Sequence, residues 1–440
     1  MNKKEKLEFD DFYEFKKNKK NVKYKITKKD FIYRILPIIL IPMLVVLTTV
    51  STHSDYLIRK WASYIIYILL AFVIVVFVAG ILFYKKRMFG KKVMILKIFF
   101  TIYIIVCSTF LMLLYGPIDN FKSWYISTGM ATMNHQYLVR WFYSSKEINK
   151  VLNSNYIKEV DEETDKSLIN QEKKVTYKNE YDKQILDHNK NDKYKIIELT
   201  VNGQKAYLAA VYDPSKVKVA VTKGLGSYGQ YVTKMASDSK ALLAVNGGGF
   251  YDPGANDRGG KPTGVTIENG VIKSDNNYSS YTQFGGLIGM TNDNVLVLMK
   301  NATGKKAIAA GVRDAVSWGP FLIVNGKKSF IKGNGGWGYA ARTAIGQRED
   351  GIILLLVVDS NSTRTKGADM VDLTEIMSNY GAVNAANLDG GTSSVFVLPK
   401  KKSLKYIDSC AGDYCYINDP VNANLVHKTR GIATSIVVTD

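Results

Sequence analysis

Histidine and cysteine are scarce in this sequence, and their scarcity excludes much chemistry. There are four histidines in 440 residues. Beyond residue 195 only His427 remains, so a Ser-His-Asp triad would have a single candidate base. His135 lies in an aromatic-rich stretch, where a satisfied or lipid-facing histidine is a better reading than a metal ligand, and His188 lies in a polar stretch that gives it no specific role. There is no His-Glu-x-x-His run, phosphate-binding P-loop or dinucleotide-binding glycine fingerprint. Of the three cysteines, Cys107 sits inside an apolar run and reads as packing. Cys410 and Cys415 bracket Ala-Gly-Asp-Tyr; they would close a loop disulfide in an extracellular domain or stand as free thiols in a reduced one. Acidic residues are also few, 39 against 59 Lys and Arg, for a net charge of +20. That excess is concentrated at one end. Residues 1–115 hold 20 basic and 7 acidic side chains, residues 116–440 hold 39 and 32. Basic charge around an apolar N-terminal third points to membrane topology, not to a nucleic-acid partner, and no zinc-finger or other nucleic-acid motif is present.

What is present begins with a lysine-rich tail, residues 1–30. Three apolar runs follow, 31–50, 61–84 and 93–115, each about the length that crosses a hydrocarbon core. Pro37 and Pro42 interrupt the first, which a membrane helix tolerates. The tail and the 85–92 loop are strongly basic, while the loop between the first two runs carries Arg59 and Lys60 beside Asp55. This predicts three transmembrane helices over 31–115, with tail and 85–92 loop cytoplasmic and everything after residue 116 outside the cell. Residues 116–150, with Trp124, Met130, Met133, Tyr137 and Trp141, predict an amphipathic helix lying at the interface. Residues 151–195 are polar and charged and predict a linker.

From residue 196 the pattern changes to short β-rich runs at 196–201, 205–211, 217–221, 242–245, 295–299, 321–324, 352–358, 395–398 and 433–438, separated by turn signals such as Asn202-Gly203 and Asn325-Gly326. Helices are few: one over 228–239, and a clearer one over 369–380 with Met370, Leu373, Ile376, Met377 and Tyr380 on one face and Gly381 as its stop. The expected class is α+β, sheet-dominated, over 196–440.

Two stretches share one plan. Leu388-Asp389-Gly390-Gly391-Thr392-Ser393-Ser394 follows an apolar strand, and so does Asn246-Gly247-Gly248-Gly249-Phe250. Glycines let a backbone approach a ligand, and free N–H groups in such turns can cradle an anion. The other reading of each is a tight turn whose polar residue bonds its own backbone. The 352–358 run is apolar throughout, a strand buried on both faces, and it ends at Asp359. Strand, 369–380 helix and strand then match a parallel crossover, which would bring Asp359 and Asp389 to one sheet edge as a pair for acid–base work. The alternative for Asp359 is a loop cap. Arg313, Arg342 and Arg430 are candidate anion-binding groups, since a guanidinium donates two parallel bonds to phosphate; a surface ion pair is the default for Arg348 and Arg364.

Asn246-Gly247-Gly248 with Phe250, Arg342-Thr343-Ala344-Ile345-Gly346, Asn387-Leu388-Asp389-Gly390-Gly391 with Ser393-Ser394, and the closing Arg430-Gly431-Ile432-Ala433-Thr434, in that order, resemble the phosphodiester glycosidase family. That is the family of uncovering-enzyme-like proteins and of bacterial exopolysaccharide-associated membrane proteins. The resemblance covers about residues 196–440. It implies hydrolysis of a sugar-1-phosphodiester, with Asp389 as nucleophile or base at the anomeric carbon and Asp359 assisting. Asn246 would bond the sugar. Arg342, Arg430 and the N–H groups of Gly247, Gly248, Gly390 and Gly391 would hold the phosphate, Phe250, Thr343 and Ser393 would contact the substrate, and Arg313 stands beside these motifs as a further substrate-binding candidate. The chain departs from the family pattern at Asp359-Ser360, where Asp-Gly is common, and at Thr392, where a third glycine is common. Carboxylate-only chemistry suits a sugar acetal and requires no cofactor; a divalent cation is compatible with oxygen donors alone. The expected partners are a glycan or sugar-phosphodiester substrate and membrane lipid. The rival reading is a non-catalytic polysaccharide-binding or exopolysaccharide assembly module.

Overall fold

The computed structural model describes residues 27–54, 60–83, 91–130, 136–173, 176–252, 259–276, 286–360, 367–403, 409–420 and 429–440. The chain divides into two compact units, Met1–Tyr125 with Tyr137–Asn149, and Ile126–Gln136 with Lys150–Asp440.

In the first unit, two helices are long and apolar enough to cross a bilayer, Lys28–His53 and Ile98–Tyr115. Pro42 sits inside the former. The middle run forms the helix Lys60–Phe83, but its apolar stretch with described surroundings, Ile66–Val78, is shorter than a span. The described residues therefore establish two candidate spans and not the expected three-helix membrane region. The tail before residue 27, residues 55–59 and residues 84–90, on which the charge-based orientation rests, lie outside the described residues, as does His135. The expected single helix over 116–150 is broken at 141–144: among the described residues, helix covers Asp119–Met130 and Gln136–Arg140 before the break and Ser145–Ser154 after it. Its aromatics pack on one another: Phe121 on Trp124, Tyr125 on Phe142, Tyr137 on Trp141. His53 and Tyr115, the last residues of the two candidate spans, meet with ring centroids 4.3 Å apart. Both spans thus end at the same side, beside this aromatic cluster.

The second unit is sheet-rich. Seven strands lie in the order Lys327–Lys328, Phe321–Val324, Ala382–Asn387, Arg342–Arg348, Ile353–Val358, Gln204–Val211, Tyr194–Val201, antiparallel at every step. A six-stranded antiparallel sheet runs Ser409–Ala411, Tyr414–Tyr416, Phe396–Pro399, Leu243–Asn246, Thr434–Val438, Val217–Val221. A five-stranded sheet joins them, built on Leu296–Met299, Gly286–Thr291, Val312–Trp318, Gly264–Glu268 and Val271–Asn276. Strand alternation distributes the core. Ile353, Leu355 and Val357 face Leu243, Val245, Phe396 and Ile436 between the sheets. Leu354, Leu356 and Val358 face Met370, Leu373 and Met377 of the helix Met370–Asn379. This helix begins at a capping box made by Asp369 and Asp372 and is followed by Gly381 at φ +81°. The second expected helix, Val232–Asp238, covers the outer face of the six-stranded sheet through Val232, Met235 and Ala236. Each β-rich run read from the sequence falls on one of these strands.

The stretch 151–195 is not the expected linker. Tyr156–Lys158 pairs with Phe330–Lys332, Asn179 caps the helix Glu180–Leu186, and Ile185 is fully buried. Its apolar anchors, Ile157, Ile169 and Ile185, are too widely spaced to show a period, yet each is buried. Asp182 meets Arg348 at 3.0 Å, and Arg348 also pairs with Asp350 at 3.0 Å while being 2% exposed. Arg348 is thus a buried ion-pair hub and not a surface charge. Arg364 lies outside the described residues.

Candidate active site

Asp389 follows the strand Ala382–Asn387. Its backbone is pinned from both sides: Leu388 N–H donates to Thr343 O at 2.8 Å, and Asp389 N–H to Gly247 O at 3.1 Å. The chain then turns through a short 3-10 segment, Gly391–Ser393, with Gly391 at φ +63°. The turn aims the Ser393 hydroxyl and the Gly390 N–H at the Asp389 carboxylate. Burial pushes this carboxyl above the usual range; Ser393, the Arg430 and Arg342 charges and the Gly390 N–H pull it back. Asp389 itself remains partly exposed.

The two arginines whose charges act on Asp389 are held differently. Arg342 is buried, and its guanidinium donates to three carbonyls: Ala368 at 3.2 Å, Trp337 at 2.7 Å and Gly338 at 2.8 Å. Burial lowers its pKa to about 10, which leaves it charged at neutral pH. Arg430 stacks on the Phe250 ring, 4.7 Å from the centroid. It pairs through Nη2 with the buried Asp252 and reaches Thr392 through Nη1 at 3.4 Å. The Nε of Arg430 and Oδ1 of Asp252 are buried with no hydrogen-bond partner among the described residues. Arg313 does not join this group: its guanidinium is spent on Asp314 and on the carbonyls of Pro214 and Ser215.

Asp359 reaches the same sheet edge by a different route from the one expected. Ile353–Val358 and Ala382–Asn387 flank Arg342–Arg348 and are each antiparallel to it, so they run parallel to one another without pairing. Asp359 is 5% exposed. Asn418 Nδ2 donates to its Oδ1 at 2.9 Å and Asp419 N–H to its Oδ2 at 3.1 Å. Burial raises its pKa to about 6 against the pull of these bonds.

The first glycine loop is not an anion cradle. Gly247 N–H donates to Thr434 O, Gly248 N–H to Thr434 Oγ1 and Gly249 N–H to Ser317 O, all at 3.0–3.1 Å. A Cβ on Gly249 would sit 1.9 Å from the Trp318 ring, so glycine is required here by close approach. Asn246 is fully buried: it donates to Asp389 O at 2.6 Å and accepts from the Thr343 hydroxyl at 2.7 Å and Val395 N–H at 3.2 Å. Asn246 and Thr343 are fully buried and bonded to one another; they staple the strand ends that carry Asp389. In the second loop Gly391 N–H is also spent, on Ala341 O at 2.7 Å.

Asp252 and Asn418 were not singled out from the sequence. Asp252 falls two residues after Phe250, a position that the glycine motif could have flagged; nothing local marks Asn418. A disulfide joins Cys410 to Cys415 across the Ser409–Ala411 and Tyr414–Tyr416 hairpin. His427 lies outside the described residues. Among the described residues, no group of three or more His, Cys, Asp and Glu side chains is placed to hold a metal.

The family model described as phosphodiester glycosidase matches residues 239–439. A Bacillus subtilis (strain 168) relative, the SPbeta prophage-derived uncharacterized protein YomE, is 25% identical over 47% of this chain and 33% of its own length. The bovine (Bos taurus) N-acetylglucosamine-1-phosphodiester alpha-N-acetylglucosaminidase is 42% identical over 13% of this chain and 11% of its own. This chain thus spans a third or less of the length of these curated relatives. Among solved structures, the zebrafish N-acetylglucosamine-1-phosphodiester alpha-N-acetylglucosaminidase catalytic domain, auto-inhibited by pro-peptide, aligns with a TM-score of 0.43 at 22% identity, over 57% of this chain and 85% of that one. A hypothetical protein from Synechocystis aligns with a TM-score of 0.36 at 16% identity, over 56% and 61%. Residues 239–439 accordingly form a domain of the phosphodiester glycosidase family, the family to which the order of the motifs pointed.

Proposed function

We propose that this chain is a membrane-anchored glycosidase that hydrolyses a sugar-1-phosphodiester of a cell-surface glycan, with its sheet domain outside the cell. The observation that carries the reading is the Asp389 carboxylate, on a residue that stays partly exposed, under the charges of both Arg430 and Arg342. A phosphate is already a good leaving group, so neutralising its charge helps more than protonating it. The two arginines supply that charge, and Asp389 supplies the carboxylate that attacks the anomeric carbon or activates a water to do so. The C1–O bond breaks, water supplies the new C1 oxygen, and the aglycone departs as a phosphomonoester. Asp359, held by Asn418, assists from the same sheet edge. The aromatic cluster beside the paired ends of Lys28–His53 and Ile98–Tyr115 supports anchoring, because Trp and Tyr favour the membrane–water interface.

A non-catalytic glycan-binding module is the second reading, favoured by one observation. Arg430 is already paired with Asp252, which leaves it less charge for a phosphate. Turnover of an aryl or nucleotide sugar-1-phosphodiester by the full-length chain separates the two. Release of free sugar with a phosphomonoester supports hydrolysis; saturable binding of the same compound without release supports the module.

A further inference from the structure

Asn418 makes more directed contacts than a turn residue needs. It is 1% exposed. Its Oδ1 accepts Phe396 N–H at 2.8 Å, and its Nδ2 donates both to Asp359 Oδ1 at 2.9 Å and to Ser394 O at 3.1 Å. Ser394 is the next residue after Ser393, whose hydroxyl bonds the Asp389 carboxylate. One side-chain amide therefore bridges the two carboxylate sites. The position of Asn418 is itself fixed. Ile417 N–H donates to Phe396 O at 2.9 Å, and just upstream Tyr414–Tyr416 pairs with Phe396–Pro399 and is closed by the Cys410–Cys415 bond.

We propose that Asn418 is a positioning residue that holds the Asp359 carboxylate in place and ties it to the loop carrying Asp389. The assignment of a reaction to Asp359 and Asp389 rests on the hydrolase reading above; the bridge itself does not. An amide suits the place because it can donate to a carboxylate and a carbonyl while accepting a backbone N–H, which neither an acid nor a hydroxyl does equally well. The charged groups acting on Asp359 are few. Asp419 opposes its ionisation and Lys205 favours it. Arg342, paired across the strands with Val358, spends its bonds on the carbonyls of Ala368, Trp337 and Gly338. The Asn418 amide and the Asp419 N–H are thus the hydrogen bonds that keep a buried acid available as an anion.

The test is a carboxyl titration of the detergent-solubilised full-length chain labelled with 13C at aspartate side chains. The Asp359 resonance is identified by its loss in Asp359→Asn. The expected result is a parent midpoint near 6 that rises by about one unit or more in Asn418→Ala, as expected for losing a hydrogen bond to the charged form. Asn418→Asp keeps an acceptor for Phe396 N–H and places a second carboxylate on Asp359; its midpoint rises too, and it stands in if the alanine variant does not fold. An unchanged Asp359 midpoint in either folded variant overturns the proposal. Turnover is read beside it. The limb of the kcat/KM profile that vanishes in Asp359→Asn should move up in pH with the titration, with kcat falling more than KM changes. If the parent cleaves no sugar phosphodiester, the hydrolase reading fails, and the titration still decides the role of Asn418.

Discussion

The two glycine loops look alike in the sequence and do opposite things in the structure. In Asn246–Gly249 every glycine N–H is spent on a neighbouring strand, and the lead polar residue is buried with its donor and acceptor used. In Asp389–Ser394 the lead residue carries a carboxylate and stays partly exposed, and two arginine charges act on it. The first loop is a staple, and the second carries the edge where we propose that the reaction takes place. A glycine cluster after an apolar strand therefore does not mark a ligand site by itself. What separates the two is the lead residue, a fully buried amide used up by neighbouring strands in one and a carboxylate on a partly exposed residue in the other, and that depends on strands distant in the chain.

The largest effect that this contrast predicts is on turnover. Asp389→Asn keeps shape and hydrogen-bonding size but removes the charge, so hydrolysis should fall at least about a hundredfold. The thermal melt should stay close to the parent's, because the loop is held by backbone bonds. Near-parent turnover would move the reaction to another group. Asn246→Ala should do the reverse and show first in stability. It leaves the Thr343 hydroxyl and Val395 N–H without their buried acceptor and frees the Asp389 backbone, at a cost of about 2–4 kcal/mol in denaturant unfolding. Turnover lost in Asn246→Ala without a loss of stability would return Asn246 to the substrate side of the cleft.

Much of this was legible in the sequence, and the misses have physical causes. The 352–358 run and the 369–380 helix were readable because burial on both faces or on one stripe leaves a periodic signature. The strand Arg342–Arg348 was not read as one, since Arg342, Thr343, Gln347 and Arg348 are buried through hydrogen bonds and ion pairs instead of apolar contact. That strand enters between the two expected to pair, so the sheet is antiparallel there although Asp359 and Asp389 still share an edge. The 151–195 segment was misread for a similar reason, because its hold on the domain includes the Asp182–Arg348 pair and isolated isoleucines. Asp389 and Arg430 were legible as motif residues. Asn418 and Asp252 gain their meaning only from partners at Asp359 and Arg430.

A smaller effect sharpens the contrast between the two carboxylates. Asp359 titrates near 6 in the folded chain, above the value of an unfolded aspartate. The native state therefore holds a proton that the unfolded state has released between about pH 4 and pH 6. The stability this contributes is complete below the unfolded pKa and is lost as pH rises through 6. Melts of the parent should thus lose stability from this group between pH 5 and pH 7.5, by about 1–2 kcal/mol. Asp359→Asn should remove that part of the slope. An identical pH slope in parent and variant would show that Asp359 is solvated and not the buried acid described above.

The smallest effect separates the two kinds of glycine directly. A Cβ on Gly247 would lie 2.4 Å from Thr434 Oγ1 and 2.8 Å from Thr434 O, so alanine there must push a paired strand aside. A Cβ on Gly391 would meet nothing within 4 Å, but the residue sits at φ +63°. Alanine at 391 therefore pays only for a left-handed backbone, about 1–2 kcal/mol, part of which is offset by the smaller entropy of the unfolded chain. Gly391→Ala should lower stability by about 1 kcal/mol and leave turnover near the parent value. Its N–H still reaches Ala341 O, and the Ser393 bond to Asp389 does not pass through the new methyl group. A large loss of turnover in Gly391→Ala with an unchanged melt would mean that substrate occupies the open space beside this glycine, and the reactive edge would then extend along the 3-10 turn toward Thr392.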